Sequence, residues 1–133
     1  MSNREDWGRL LLRLALGAVV LFHGVYKLQN GVGWIRAPLE GLGLPGFLAY
    51  GSYLAEVVAP VLVMAGWKAR PAALLIALQM VMAVVLVLRD RIVAIKPSGG
   101  GWAIELEALI FAAAVTLFLV GSGRLRLGRG GWD

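Results

Sequence analysis

Four long apolar blocks divide this chain. Each contains 19 or 20 consecutive residues with few charges, and together they cover residues 10–28, 47–66, 69–88 and 102–121. At about 1.5 Å per residue, a helix of this length spans about 30 Å, which matches the hydrocarbon thickness of a bilayer. Lipid offers a backbone no hydrogen-bond partners, so a spanning segment must satisfy its own peptide groups as a helix. The pattern predicts an all-α integral membrane four-helix bundle.

The composition favours a bilayer over water as the surrounding medium. Of the 133 residues, 59% are hydrophobic and 16% are charged, whereas soluble domains are about 45–50% apolar and about 25% charged. No linker or internal repeat divides the chain, so we treat residues 1–133 as a single transmembrane domain. The sequence contains no cysteine, which excludes disulfides, thiolate metal sites and a dithiol relay within the chain.

Basic residues near the ends of the blocks predict the orientation of the bundle. With four spans, the N-terminal segment, the second connection and the tail share one side, which carries eight Lys and Arg residues against five on the other side. Cytoplasmic flanks carry an excess of Lys and Arg, so we expect both termini in the cytoplasm and the spans in the plasma membrane. These bases are not interleaved with stacking aromatic residues along one face, so we expect no nucleic-acid partner.

A few ionisable or polar side chains fall inside the apolar blocks. A charge at the centre of a spanning helix costs about 2.5–3.5 kcal/mol on insertion scales, so such residues turn inward and commonly serve a function. The candidates for ligand binding or proton handling are His23, Lys27, Glu56, Gln79 and Glu105. Pro60, four residues after Glu56, removes a backbone hydrogen bond and predicts a kink beside that carboxylate.

The first block carries one stripe of polar and small residues. At about 100° per residue, its members fall within about 80° of one another, and they are Arg13, Gly17, Val20, Gly24 and Lys27, with His23 beside them. Gly17 and Gly24 are predicted helix-packing positions, because a glycine lets a neighbouring helix approach closely.

Depth along the helices suggests that the candidate residues meet. His23 and Lys27 fall in the outer half of the first helix, and Glu105 falls near the outer end of the last. Glu56 and Gln79 fall close to the midplane, so we expect one polar cluster that extends towards the outer surface. An alternative is that this network only fixes the register of the helices. For Lys27, a second alternative is that its ammonium extends to the lipid headgroups.

Short motifs follow one another in a fixed order over nearly the whole chain. They are Arg13-Leu14 before Gly17, the run Phe22-His23-Gly24-Val25-Tyr26-Lys27-Leu28, Gly43-Leu44-Pro45, Glu56, Gly66, Glu105 and Gly121-Ser122-Gly123-Arg124-Leu125. In their order and spacing they resemble the DoxX family of small four-helix bacterial and archaeal membrane proteins. The resemblance implies a multi-pass plasma-membrane protein. Some relatives are linked to thiosulfate:quinone oxidoreductase and others to oxidative stress or quinone detoxification.

The resemblance implies a quinone-linked redox or oxidative-stress subunit. The residues themselves predict that a small apolar ligand binds in an outer-half polar pocket beside His23 and Glu56. A histidine can donate a hydrogen bond to a quinone carbonyl, and a carboxyl group can exchange the accompanying proton. We see no haem, flavin or iron–sulfur motif, so a partner redox protein must carry electrons and the chain is at most a subunit of an oxidoreductase.

Two other functions remain open. One is a non-catalytic accessory or assembly subunit of a membrane complex. The other is a small proton-coupled transporter, which would need a homo-oligomer because four helices enclose only a narrow path. A single histidine and scattered carboxylates lack the spacing of a zinc or di-iron site, so we expect no metal.

Overall fold

The computed structural model describes residues 3–31, 33–85, 93–95 and 100–127, with no side chains for residues 34–36, 47 and 48. These residues form five α-helices: α1 (Asn3–Asn30), α2 (Gly33–Gly41), α3 (Gly51–Ala65), α4 (Ala69–Ala83) and α5 (Glu105–Val120). Across those ranges the only extended pairing is an isolated antiparallel bridge between Ile95 and Trp102. The predicted all-α class is confirmed for the part of the chain that the structure describes.

The first helix is longer than the predicted span of residues 10–28. It begins at Asn3 and contains 28 residues, with Glu5 and Asp6 in its first turn, where the positive end of the helix dipole favours acidic side chains. It ends at Asn30, and the Gly31 N–H then donates to the Lys27 carbonyl at 2.7 Å. Among the described helices, α1 is the one that is long and apolar enough to cross a membrane, whereas α3 and α4 are shorter apolar helices.

The connection after α1 contains a short helix that the sequence pattern did not predict. Residues Gly33–Gly41 are helical despite the internal Pro38. Leu39 is buried in a small second core with Ala49, which lies in the 3₁₀ helix Gly46–Tyr50. The tertiary contact of this buried leucine stabilises a helix in a Gly- and Pro-rich segment whose intrinsic helix propensity is low.

The predicted second span, residues 47–66, forms in two parts. The 3₁₀ helix Gly46–Tyr50 leads into α3, and α3 contains a π-helical turn at Leu54–Val58. In this turn the Ala59 N–H donates to the Leu54 carbonyl, five residues back. Pro60 follows directly and has no N–H to donate, so the widened turn occupies the place where the sequence predicts a kink.

The long helices pack around one apolar core. Helix α1 packs on α3, α3 on α4 and α4 on α5, while α5 also contacts α1. The core residues include Val20, Val63, Ile76, Ala114 and Leu117, all fully buried. The tight turn between α3 and α4 uses Gly66 with φ +76°, a conformation that glycine adopts without steric cost.

The last two helices differ in how far they can be compared with their predicted spans. Helix α4 covers Ala69–Ala83 and continues into a π-helical turn at residues 84–85, and residues 86–88 of its predicted span lie outside the described residues. Helix α5 begins at Glu105 and ends at Val120 instead of covering residues 102–121. Gly121 has φ +78° and ψ −176°, and this backbone conformation cannot continue an α-helix, so the helix ends there.

Candidate functional site

A buried ion pair joins α1 to α3. The Lys27 ammonium donates to Oε2 of Glu56, and the two residues are 8% and 3% exposed. The Tyr53 hydroxyl, one turn before Glu56, donates to the Lys27 carbonyl at 3.3 Å. Because both side chains are largely removed from solvent, the two charges depend mainly on each other for stabilisation.

Gly24 allows the two helices to come close enough for this pair. It lies three residues before Lys27 on the stripe of α1 that faces α3, and it packs against the peptide of Glu56. A Cβ at position 24 would overlap the Glu56 carbonyl, which is backbone and cannot rotate away. Gly17 approaches α3 in the same way beside the Pro60 carbonyl, but there it also meets the flexible side chain of Met64.

Gly24→Ala is therefore expected to lower the free energy of unfolding by about 1–3 kcal/mol, because the added methyl group forces α1 away from α3. Gly8→Ala is the matched control on the same helix, since a Cβ at position 8 meets nothing within 4 Å. That variant is expected to be neutral or more stable, by up to about 1 kcal/mol. Reversible unfolding in mixed micelles measures both, and equal effects at the two positions would contradict the close contact.

A second polar contact lies one helical turn from the ion pair. Gln79 on α4 donates its side-chain N–H to the Ser52 hydroxyl at 3.0 Å. Ser52 is buried and precedes Glu56 by four residues on α3, so both side chains project from the same face of that helix. We refer to Lys27, Ser52, Glu56 and Gln79 as the polar layer. It joins three helices and places an ammonium, a carboxylate, a hydroxyl and an amide inside an apolar bundle.

The structure does not bring His23 into the polar layer. Its side chain is exposed on α1, and Nδ1 lies 3.0 Å from the Val19 carbonyl of the same helix. Consecutive residues differ by about 100° around a helix axis, so the packing of α3 on Gly24 leaves His23 on the outside. The expected single cluster therefore lacks its histidine.

Glu105 also lies outside the polar layer. It is the first residue of α5 and is exposed, and its carboxylate lies against Gly101 in the preceding turn. Of the five candidate residues, the structure brings together Lys27, Glu56 and Gln79. Among the described residues, no group of three or more His, Asp or Glu side chains is arranged to hold a metal ion.

Arg13 is a buried residue that sequence reasoning did not select as a candidate. It is 1% exposed and donates four hydrogen bonds, all to backbone carbonyl oxygens. Nε and Nη2 donate to the carbonyls of Val63 and Met64 in the last turn of α3, both at 3.0 Å. Nη1 reaches Ser122 at 2.9 Å and Leu125 at 2.6 Å. The signal was present in the sequence, because Arg13 shares the stripe of Gly17, Gly24 and Lys27.

Asp6 holds the same part of the tail from another side. This carboxylate is buried and accepts the Arg124 backbone N–H at 3.1 Å, and the Arg124 Nε lies 3.9 Å away. The tail also donates from the Leu127 N–H to the Ala65 carbonyl at 2.8 Å. We refer to Asp6, Arg13 and residues 122–127 as the tail clasp. It closes the end of the bundle opposite the polar layer.

Two apolar grooves open on the sides of the bundle. One, of about 250 Å³, lies between α4 and α5, and its lining includes Met80, Val84, Ile104, Glu107, Ala108 and Phe111. The other, of about 270 Å³, lies between α1 and α5 and is lined by apolar residues such as Leu12 and Leu109. Their chemistry suits an aliphatic chain or an apolar ring.

A helical architecture over the described residues, a buried ion pair and many exposed apolar side chains are together typical of small helical membrane proteins. The sequence profile of the DoxX family matches residues 8–89. A relative from Bacillus subtilis (strain 168), named "Putative oxidoreductase CatD", is 32% identical over 127 residues, which cover 96% of this chain and 89% of the relative. No solved structure matches the chain significantly. The chain belongs to the DoxX family, whose members are membrane-associated.

Proposed function

We propose that this chain is a multi-pass plasma-membrane protein in which α1, α3, α4 and α5 cross the bilayer with both termini in the cytoplasm. The exposed apolar side chains support this topology, since Phe22 is 79% exposed and Leu109 and Leu119 are each 69% exposed. Large apolar side chains over a whole helical surface favour contact with acyl chains over water. The basic residues at the tail-clasp end favour that end as the cytoplasmic one.

Within this setting we propose that the chain is a quinone-linked subunit of a redox system. The buried Lys27–Glu56 pair carries the proposal, because it places a proton donor and a proton acceptor inside an apolar bundle. A bound quinone would supply two-electron redox chemistry, for which a partner redox protein would provide both electrons and the aqueous phase both protons, one after the other through Glu56. Glu56 would exchange a proton, while Lys27 and Gln79 would donate hydrogen bonds to the quinone carbonyls.

The polar layer and the adjacent Tyr53 carry donors suited to such a ligand, namely the Lys27 ammonium, the Gln79 amide and the Tyr53 hydroxyl. In the structure these donors are directed to Glu56, Ser52 and the Lys27 carbonyl, so a bound quinone would replace part of those contacts. Met80, which follows Gln79 directly, lines the apolar groove between α4 and α5. The chain has no cysteine to relay electrons as a dithiol, so a partner redox protein would supply them. The name of the Bacillus subtilis relative supports an oxidoreductase.

A second candidate is a non-catalytic assembly subunit. The observation that favours it is the geometry of the polar layer itself, which ties α1, α3 and α4 together and so can serve helix register alone. In that case a change at Glu56 would alter stability and recovery of a membrane complex without affecting quinone binding.

Quinone retention tests the proposal. Wild-type protein purified from native membranes and washed in quinone-free detergent is expected to retain extractable quinone, and Glu56→Gln is expected to retain about tenfold less, because it cannot exchange a proton or hold the Lys27 charge. Glu40→Gln is the matched control, since Glu40 is an exposed carboxylate on α2. Absence of quinone from the wild type, with retention unrestored by added quinone, would overturn the proposal. Unchanged retention in a folded Glu56→Gln variant would favour the assembly subunit.

A further inference from the structure

One side of α1 is turned away from α3 and carries two polar side chains among apolar ones. Phe22 and Tyr26 lie on this side, where they are 79% and 61% exposed, and the exposed His23 lies beside them. Helix α1 is long and apolar enough to cross a membrane. Within the hydrocarbon region of a bilayer, a polar group without a hydrogen-bond partner is costly.

The hydrogen bond of His23 within α1 decides which ring nitrogen stays available. Nδ1 lies 3.0 Å from the Val19 carbonyl oxygen, which can only accept, so Nδ1 carries the proton of the neutral ring and Nε2 is an acceptor. The Tyr26 hydroxyl is a donor three residues later, and among the described residues none accepts a hydrogen bond from it. The same side of α1 therefore presents one acceptor and one donor, about one helical turn apart.

A second copy of the chain satisfies both groups at once. When two copies of α1 pack in parallel around a two-fold axis along the bilayer normal, the Tyr26 hydroxyl of each copy can donate to His23 Nε2 of the other. The contact is self-complementary, since each surface supplies one donor and one acceptor. Helix pairs in lipid gain mainly from close packing and from hydrogen bonds of this kind.

The groove between α1 and α5 continues this side of α1 towards the tail-clasp end. Its lining includes Val19, one turn before His23, and Ala15, two turns before it. The volume of the groove is about 270 Å³, whereas a cavity of about 150 Å³ already accommodates a benzene ring. The groove can therefore take apolar side chains from a helix that packs across it.

We propose that α1 forms the interface of a homodimer, in which the faces that carry Val19, His23 and Tyr26 pack against each other. Apolar side chains of the second copy then occupy the groove between α1 and α5. The proposal requires α1 to cross the bilayer. It is independent of quinone chemistry, because the polar layer lies on the side of α1 that packs on α3.

Disulfide cross-linking tests this interface, because the chain contains no cysteine of its own. Val19→Cys places a thiol in the proposed interface, and Leu78→Cys places one on an exposed side of α4 as the control. Val19 is 38% exposed and Leu78 is 54% exposed, so the control thiol is the more accessible of the two. In vesicles with few protein copies per lipid, mild oxidation is expected to cross-link Val19→Cys about tenfold faster, because the interface raises the effective concentration of its thiols.

Two further substitutions, each made in the Val19→Cys chain, test the reciprocal hydrogen bonds. Tyr26→Phe removes the donor and His23→Leu removes the acceptor, and each is expected to slow cross-linking about tenfold, because a dimer of either variant lacks both bonds. When differently tagged copies of the two variants are mixed, each mixed pair regains one of the two bonds. Mixed pairs are therefore expected to cross-link about threefold faster than pairs of either variant with itself.

The outcomes separate a specific dimer from a helix face that meets only lipid or another protein. Equal cross-linking of Val19→Cys and Leu78→Cys would overturn the proposal, since copies of the chain would then meet only by random collision. Mixed pairs that gain nothing over either variant alone would also overturn it. Circular dichroism of each variant monitors folding, and should Tyr26→Phe or His23→Leu fail to fold, the comparison of the two cysteine positions decides.

Discussion

Lys27→Met is expected to lower the free energy of unfolding by about 3–5 kcal/mol, because it leaves the buried Glu56 carboxylate without its partner. The loss comes mainly from the stranded charge and not from the missing contact, since Met fills nearly the same volume as the lysine stem. Unfolding in mixed micelles, followed by far-ultraviolet circular dichroism, measures the change. Lys68→Met, at an exposed lysine, is expected to cost no more than about 1 kcal/mol.

The double variant Lys27→Met, Glu56→Met separates these contributions. With both charges removed, neither is left unpaired, so the double variant is expected to recover most of the stability lost in Lys27→Met. It is also expected to lose quinone retention, because the proton-exchanging group is gone. If the single and double variants are equally destabilised, the loss in Lys27→Met does not come from an unpaired Glu56 carboxylate. If the double variant is stable and still retains quinone, the polar layer serves only helix register.

The period of the α-helix was sufficient to predict which side of α1 faces the bundle. Gly24 and Lys27 lie on one stripe in the sequence, and in the structure Gly24 meets the backbone of α3 while Lys27 reaches Glu56. A charged side chain that faces lipid costs free energy, and a small residue that faces lipid gains no helix packing. A face of α1 that carries both is therefore expected to turn towards the neighbouring helices. The main features of this contact can therefore be predicted from local pattern.

The same pattern could not predict where His23 lies. A helical wheel gives the angle of a side chain but not the arc that a neighbouring helix covers, and His23 lies just beyond the arc covered by α3. Helix α2 shows the same limitation, since its order follows the burial of Leu39 in a tertiary contact. Both outcomes depend on packing between segments, which residue spacing within one segment does not contain.

Arg13 shows how a non-local contact changes the role of a residue. Its position at the start of an apolar block suggests a basic flank at the membrane surface. The tail instead folds back over it, and carbonyls of Ser122 and Leu125, more than 100 positions away in the sequence, complete its hydrogen bonds. Only a folded tail turns this flanking base into a buried one.

Arg13→Gln is expected to lower the free energy of unfolding by about 3–5 kcal/mol and to release the tail. Four carbonyls lose a charged donor, and hydrogen bonds to charged groups contribute about 1.5–3 kcal/mol each, with less than additive effects when they share one side chain. Arg13→Lys is expected to recover less than half of the loss, because an ammonium has three donors on one atom and cannot span carbonyls on both α3 and the tail.

Release of the tail can be measured directly, because the chain contains no cysteine. Ser122→Cys changes a fully buried hydroxyl to a thiol of similar size. In an otherwise wild-type chain this thiol is expected to react slowly with a soluble maleimide, and adding Arg13→Gln is expected to accelerate the reaction by about tenfold or more, since local opening exposes it. Arg4→Gln, at an exposed position on the same helix, is the control and is expected to leave the rate nearly unchanged. Equal labelling rates with and without the Arg13→Gln substitution would show that the tail stays in place without the guanidinium.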